Sequence, residues 1–182
     1  MPMSDRISAD SILTVLARHG FRKASMNDLA LATGVSRQAL YNRFGSKDAL
    51  IDWAMAALTD RSLAQALRSL DNPAAALVAR LLAALDAWGG QHMAMLRASP
   101  HGIEIVSMAA PEPSDAVRLA ERKLVAAMAN AIRRGGPGTA VARAGSMAQA
   151  LCWTAKGLVH AAPDHASFRR EIELIITAML AR

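Results

Sequence analysis

The chain of 182 residues has a single cysteine. Cys152 alone cannot close an internal disulfide, which excludes a disulfide-stapled scaffold and fits a reducing, cytoplasmic setting. Aromatic residues make up only 4%. Val, Ile and Thr are also sparse beside alanine, leucine and methionine, so strands are disfavoured and an all-α fold is expected. No run of 18 uncharged apolar residues occurs. The stretch PAAALVARLLAALDAW is broken by Arg80 and Asp86, so no membrane span is expected. The opening MPMSDRISAD lacks the apolar core of an export signal. The signatures of catalysis and metal binding are missing too. His19, His92, His101, His160 and His165 include no i,i+4 pair, and GGPG at 135–138 lacks the Lys-Ser/Thr of a phosphate-cradling loop. Cys152 sits in an apolar helical stretch and reads as an inert buried thiol. No enzyme activity and no cofactor are expected.

What is present is apolar and basic. Hydrophobic residues make up 53% of the chain and the net charge is +6. That balance suits a polyanionic partner. The charge is uneven. Residues 1–50 carry Arg6, Arg18, Arg22, Lys23, Arg37, Arg43 and Lys47 against Asp5, Asp10, Asp28 and Asp48, half of the whole excess in the first 50 positions. A small basic domain over 1–50 and a larger helical one over 51–182 are the expected organisation.

Periodicity and caps divide the first domain into short helices. In SADSILTVLARHG, Ile12, Leu13, Leu16 and Ala17 form a helical stripe with Gly20 as its stop. Ser25 followed by Asp28 resembles a capping box, opening a second helix that carries Leu29, Ala30 and Ala32 inward and ends at Gly34. Ser36 is the natural N-cap of a third helix, with Val35, Leu40 and Phe44 facing the core. A break at Gly45 and a restart at Ser46 follow. The stretch GVSRQALYNRF thus sets Arg37, Gln38, Tyr41, Asn42 and Arg43 on a short helix behind a glycine turn. A second helix in such a unit can enter a DNA major groove. Forked Arg, Gln and Asn side chains match base edges.

The pattern Gly20-Phe21, Ser25, Leu29-Ala30, Gly34-Val35-Ser36, Leu40-Tyr41, Phe44, Ser46-Lys47 and Leu50 resembles the DNA-binding end of TetR-family transcriptional regulators. The resemblance covers roughly residues 8–55, about a quarter of the chain. It implies a helix-turn-helix with its motif at about 25–44, and a divergent helical C-terminal domain. It also implies roles. Tyr41 would bond a backbone phosphate, and so would Lys47 and Ser25 at helix starts where free N–H groups attract anions. Ser36, Arg37, Gln38, Ala39 and Asn42 would meet base edges or nearby phosphates, and Arg43 the backbone. Met26 and Gln38 depart from the residues usual at their positions. Met26 either touches a thymine methyl or packs.

The larger half reads as helices over Lys47–Leu70, from Pro73 with a break at Gly89-Gly90, over a short segment at 100–113, and from a Ser114 cap. After the GGPG loop come two more, at about 139–162 and 164–182. The last two carry wide apolar faces, Phe168, Ile172, Ile175, Ile176, Met179 and Leu180 in the final one, and small residues Ala144, Gly145, Ala148, Ala155 and Gly157 in the one before. They are read as a homodimer face over about 139–181; the other reading is that they complete the core of one chain. Methionines and tryptophans are plain core or line an apolar ligand site. By the resemblance, Trp88, His92, Met128, Cys152, Trp153, Lys156 and His160 would wall that site. The function expected is a ligand-responsive regulator, a repressor released from a palindromic double-stranded DNA operator by a small apolar effector. The alternative is a helical carrier or sensor of apolar molecules whose N-terminal module docks a protein.

Overall fold

The computed structural model describes residues 7–97 and 115–181, and every regular element among them is helical. The elements are α1 (Ala9–Lys23), α2 (Met26–Thr33), α3 (Arg37–Phe44), α4 (Lys47–Leu70), α5 (Leu77–Trp88), a 3₁₀ turn at Gly90–His92, and α6 (Met93–Arg97). Then follow α7 (Asp115–Gly135), α8 (Gly138–Ala142), α9 (Ala144–Ala161) and α10 (His165–Leu180). The helix expected over 100–113 and the Ser114 cap lie outside the described residues. The chain forms two compact units; among the described residues the first holds 7–60 and 95–97, and the second 61–94 and 115–181.

The first unit is built on α1 to α3 and the start of α4. α1 buries Ile12, Leu13, Leu16 and Ala17 at the expected spacing, and kinks at Gly20 (φ 78°, ψ 157°), where a stop was expected. α2 packs on α1 and on α3. It buries Met26, Leu29, Ala30 and Thr33. Ala32, expected inward, is exposed instead. In so short a helix one narrow face suffices, and Thr33 takes the inward place by bonding its hydroxyl back to Leu29 O at 2.8 Å. Gly34 turns the chain in the left-handed region (φ 68°, ψ 23°), its N–H donating to the carbonyls of Ala30 and Leu31. A side chain there would meet no neighbour, but would carry the steric cost of left-handed backbone. Leu40 of α3 and Leu50, Ile51 and Ala54 of α4 complete the core, while Val35 and Phe44 are half-buried.

In the second unit, α9 packs against α7 and α10, and α10 against α5. Leu81 and Leu85, Leu124 and Met128, Leu151 and Cys152, and Phe168, Ile172 and Ile176 are the inward stripes of those four helices. Helix α5 begins at Leu77 rather than Pro73, because the Asn72 side chain accepts from Ala74 N–H at 3.1 Å and holds a turn first. The Gly89-Gly90 break appears as expected. It is sterically required, since a Cβ on Gly90 would run into the Phe168 ring and stand 2.5 Å from the Asp86 carboxylate. The single helix expected over 139–162 is two, α8 and α9, separated at Arg143. Asp86 on α5 ties α10 down, bonding His165 Nε2 at 2.5 Å and the Arg169 guanidinium.

Candidate nucleic-acid interface

Two serine caps place the surface that the sequence singled out. Ser25 Oγ accepts from Asp28 N–H at 3.2 Å, while the Asp28 carboxylate takes both the Ser25 N–H at 2.9 Å and its hydroxyl at 2.7 Å. Those bonds, the Ser25 hydroxyl foremost, hold the Asp28 carboxyl below its ordinary value. Ser36 Oγ accepts from Ala39 N–H at 3.1 Å and starts α3. Both hydroxyls are therefore engaged in capping, and any contact they make with an anion is in addition to that task.

Where α1 ends and α2, α3 and α4 begin, the surface is concave. A cavity of about 400 Å³ is lined by Arg22, Lys23, Ala24, Ser25, Met26, Asn27, Arg37, Tyr41 and Lys47. Four of those nine side chains are cations. The first turn of α2 adds backbone N–H groups with no helical partner. Such a groove attracts anions. Lys47, expected at a phosphate, is partly buried and donates from Nζ to Ala24 O at 3.0 Å. It therefore braces the α1–α2 junction and lines the groove at once. Tyr41 is half-buried, with the Arg37 guanidinium 5.4 Å from its ring centre. Met26 is only 6% exposed and packs in the core of this unit, while it also lines the groove.

The outer face of α3 is polar. Arg37, Gln38, Asn42 and Arg43 are exposed and Ala39 half-buried. Gln38 Nε2 donates to Asn42 Oδ1 at 2.8 Å. Arg43 lies over aromatic rings, 5.2 Å from Phe44 and 5.7 Å from Trp53, rather than extending alone. The sequence reading missed Arg22, Lys23 and Asn27. The signal was available, a basic pair and an amide flanking the Ser25 cap, where a helix start already favours anions.

The expected ligand wall is not brought together as one lining. Met128 and Cys152 are fully buried in the packed core. Burial first, and the Glu121 carboxylate next, push the Cys152 thiol up to about 12. Trp88 is half-buried beside that core. His92 shares a 2.9 Å hydrogen bond with Ser62 Oγ. Trp153, Lys156 and His160 are exposed on the outer face of α9, Trp153 by 64%. Lys156 pairs there with Glu121. A helix that is apolar on two sides cannot reveal from period alone which side its own chain covers. Among the described residues, no group of three or more His, Cys, Asp or Glu is placed to hold a metal ion, and no helix is long and apolar enough to cross a membrane.

Residues 10–53 match the family model for bacterial regulatory proteins, tetR family. That segment is similar to the N-terminal domain of the family. The match spans nearly all of α1, then α2, α3 and the first turns of α4, and so includes the whole groove lining and all of α3. The similarity to solved structures is one of fold and extends over the C-terminal helices. A transcriptional regulator from Rhodococcus sp. Rha1 superposes with a TM-score of 0.70 at 22% identity, over 98% of this chain and 96% of that one. The TetR-family regulator PfmR from Thermus thermophilus gives 0.66 at 16% identity, over 97% and 98%. The fatty acid degradation regulator FadR from Bacillus halodurans gives 0.67 at 17% identity, over 95% and 97%. No curated protein matches the chain in sequence.

Proposed function

We propose that this chain is a ligand-responsive, DNA-binding transcriptional regulator that represses by occupying an inverted-repeat operator as a homodimer. The cationic groove beside α3 carries this reading. Arg22, Lys23, Arg37 and Lys47 border one concavity, and α3 presents exposed Arg, Gln and Asn side chains. Phosphate contacts fix the position of a helix on duplex DNA, and base-edge contacts select the sequence. Residues 1–50 supply this DNA-binding part and 51–182 the effector and dimer parts.

Two features of the second unit support a homodimer through α9 and α10. Trp153 and Leu174 are exposed by 64% and 65%. A Cβ on Gly145 or Gly157 would meet nothing within 4 Å, which leaves room for a close helix approach. The final helix directs Phe168, Ile172 and Ile176 into its own chain, so the side chains proposed to meet a partner are the exposed Trp153 of α9 and Leu174 of α10 instead. A small, largely apolar effector is the partner proposed for the second unit. The FadR structure above is named for fatty acid degradation, which supports an effector of largely apolar character. Release from DNA follows if the effector binds more tightly to a state whose recognition helices no longer match the operator.

The test is the salt dependence of duplex binding. Affinity is expected to fall steeply and log-linearly with salt, and Lys23→Ala or Arg22→Ala to reduce that slope by about one each. Binding that is flat in salt would refute a groove for phosphates and favour a protein-docking module.

A further inference from the structure

Two exposed side chains of α3 are joined to each other. Gln38 and Asn42 stand one helical turn apart, with Gln38 Nε2 donating to Asn42 Oδ1 at 2.8 Å. An exposed bond between two amides contributes little to the fold, because water competes for each group. What it does is fix two flexible side chains against one another. Their neighbours are engaged elsewhere. The Arg37 guanidinium lies over the Tyr41 ring beside the groove, and Arg43 over Phe44 and Trp53.

We propose that Gln38 and Asn42 act as one preorganised reading unit that selects an adenine in each half of the operator. With one amide bond spent between them, Gln38 Oε1 remains as an acceptor and the Asn42 NH₂ as a donor. Turning both amides over exchanges the two roles and still leaves one donor beside one acceptor. In the major groove adenine presents the complement, an N6 donor beside the N7 acceptor. Guanine presents two acceptors, cytosine a donor, and thymine an acceptor beside a methyl group. Guanine in place of adenine would set its O6 against the amide acceptor. The fixed pair also loses less side-chain freedom on binding than two independent amides would.

This inference rests on the DNA-binding reading above, and the experiment separates the two. Wild type, Gln38→Ala, Asn42→Ala and the double variant are each used to select duplexes from a random pool. Affinities are then measured on the wild-type repeat with adenine, guanine or 7-deazaadenine at the selected position. Wild type is expected to enrich an inverted repeat with one adenine per half-site, and to lose about tenfold or more with guanine or with 7-deazaadenine, which lacks the N7 acceptor. Each single variant is expected to lose that discrimination, and the double variant to lose no more than the worse single one. Helical circular dichroism of the variants confirms that the exposed changes leave the fold intact. A wild-type repeat whose base frequencies are unchanged in the variants overturns the amide pair alone, as does a loss that is additive between the two sites. Failure of wild type to enrich any repeat overturns the DNA-binding reading and this inference with it.

Discussion

Single residues in the first unit carry two tasks at once. Lys47 braces the α1–α2 junction through Ala24 O and also lines the cationic groove. Ser25 caps α2 and borders the same groove. Replacing either therefore alters the scaffold together with the surface. Arg22 and Lys23 are the cleaner probes of binding, as both are exposed and neither belongs to the core. Gly34 probes the scaffold alone. Its left-handed backbone, with open space where a side chain would stand, isolates a conformational effect. Gly34→Ala is expected to lower unfolding stability by about 1 kcal/mol, as read by urea titration, with no change in the m-value. The caps and Leu40 were legible in the sequence because each is a local rule. Trp153 was not, since an exposed and a pocket-lining tryptophan share one helical period.

At the scale of elements, the ends of helices were easier to foresee than their faces. α4 runs over Lys47–Leu70 as its apolar spacing predicts, and the Gly89-Gly90 break falls where the glycines stand. The stripe of the last helix was visible, but its direction was not. Which neighbour covers Phe168, Ile172 and Ile176 depends on packing against α5 and α9, which a single helix's pattern does not encode. That packing predicts a strong effect at one glycine. Gly90→Ala drives a methyl group into the Phe168 ring and the Asp86 carboxylate. It is expected to cost about 1–3 kcal/mol, measured as a lowered thermal midpoint. Two helix starts also give stability a pH dependence. Asp28 is held below its ordinary value chiefly by the Ser25 hydroxyl, and Asp164 chiefly by the Ser167 N–H at the start of α10. A carboxyl lowered in the folded state adds stability above its unfolded value and loses it as pH falls through the folded one. Stability is therefore expected to decline as pH drops below about 4. In chemical denaturation across that range, Asp28→Asn with Asp164→Asn is expected to flatten the decline. An equal slope in the variant would remove these caps from the account.

At the scale of the whole molecule, the account requires two copies. One eight-residue recognition helix offers few base contacts, and joining two on one duplex adds them at high effective concentration. Trp153→Glu with Leu174→Glu is expected to convert a dimer to a monomer in sedimentation, and to weaken operator binding by at least about a hundredfold by removing that linkage. A wild-type protein that sediments as a monomer would place the interface elsewhere or nowhere. The sequence carried the DNA-binding module well because caps, glycine turns and α3 are contiguous within some twenty residues. The effector site would draw on helices distant in sequence, and correspondingly little of it was legible.

The most direct measurement is selection of bound sequences from a random duplex pool by the purified protein at near-physiological salt. The account predicts an enriched inverted repeat whose half-sites lie about one helical turn, or a whole multiple of one, apart. Salt-labile binding with no enriched sequence would contradict it, leaving a basic helical protein whose α3 reads nothing.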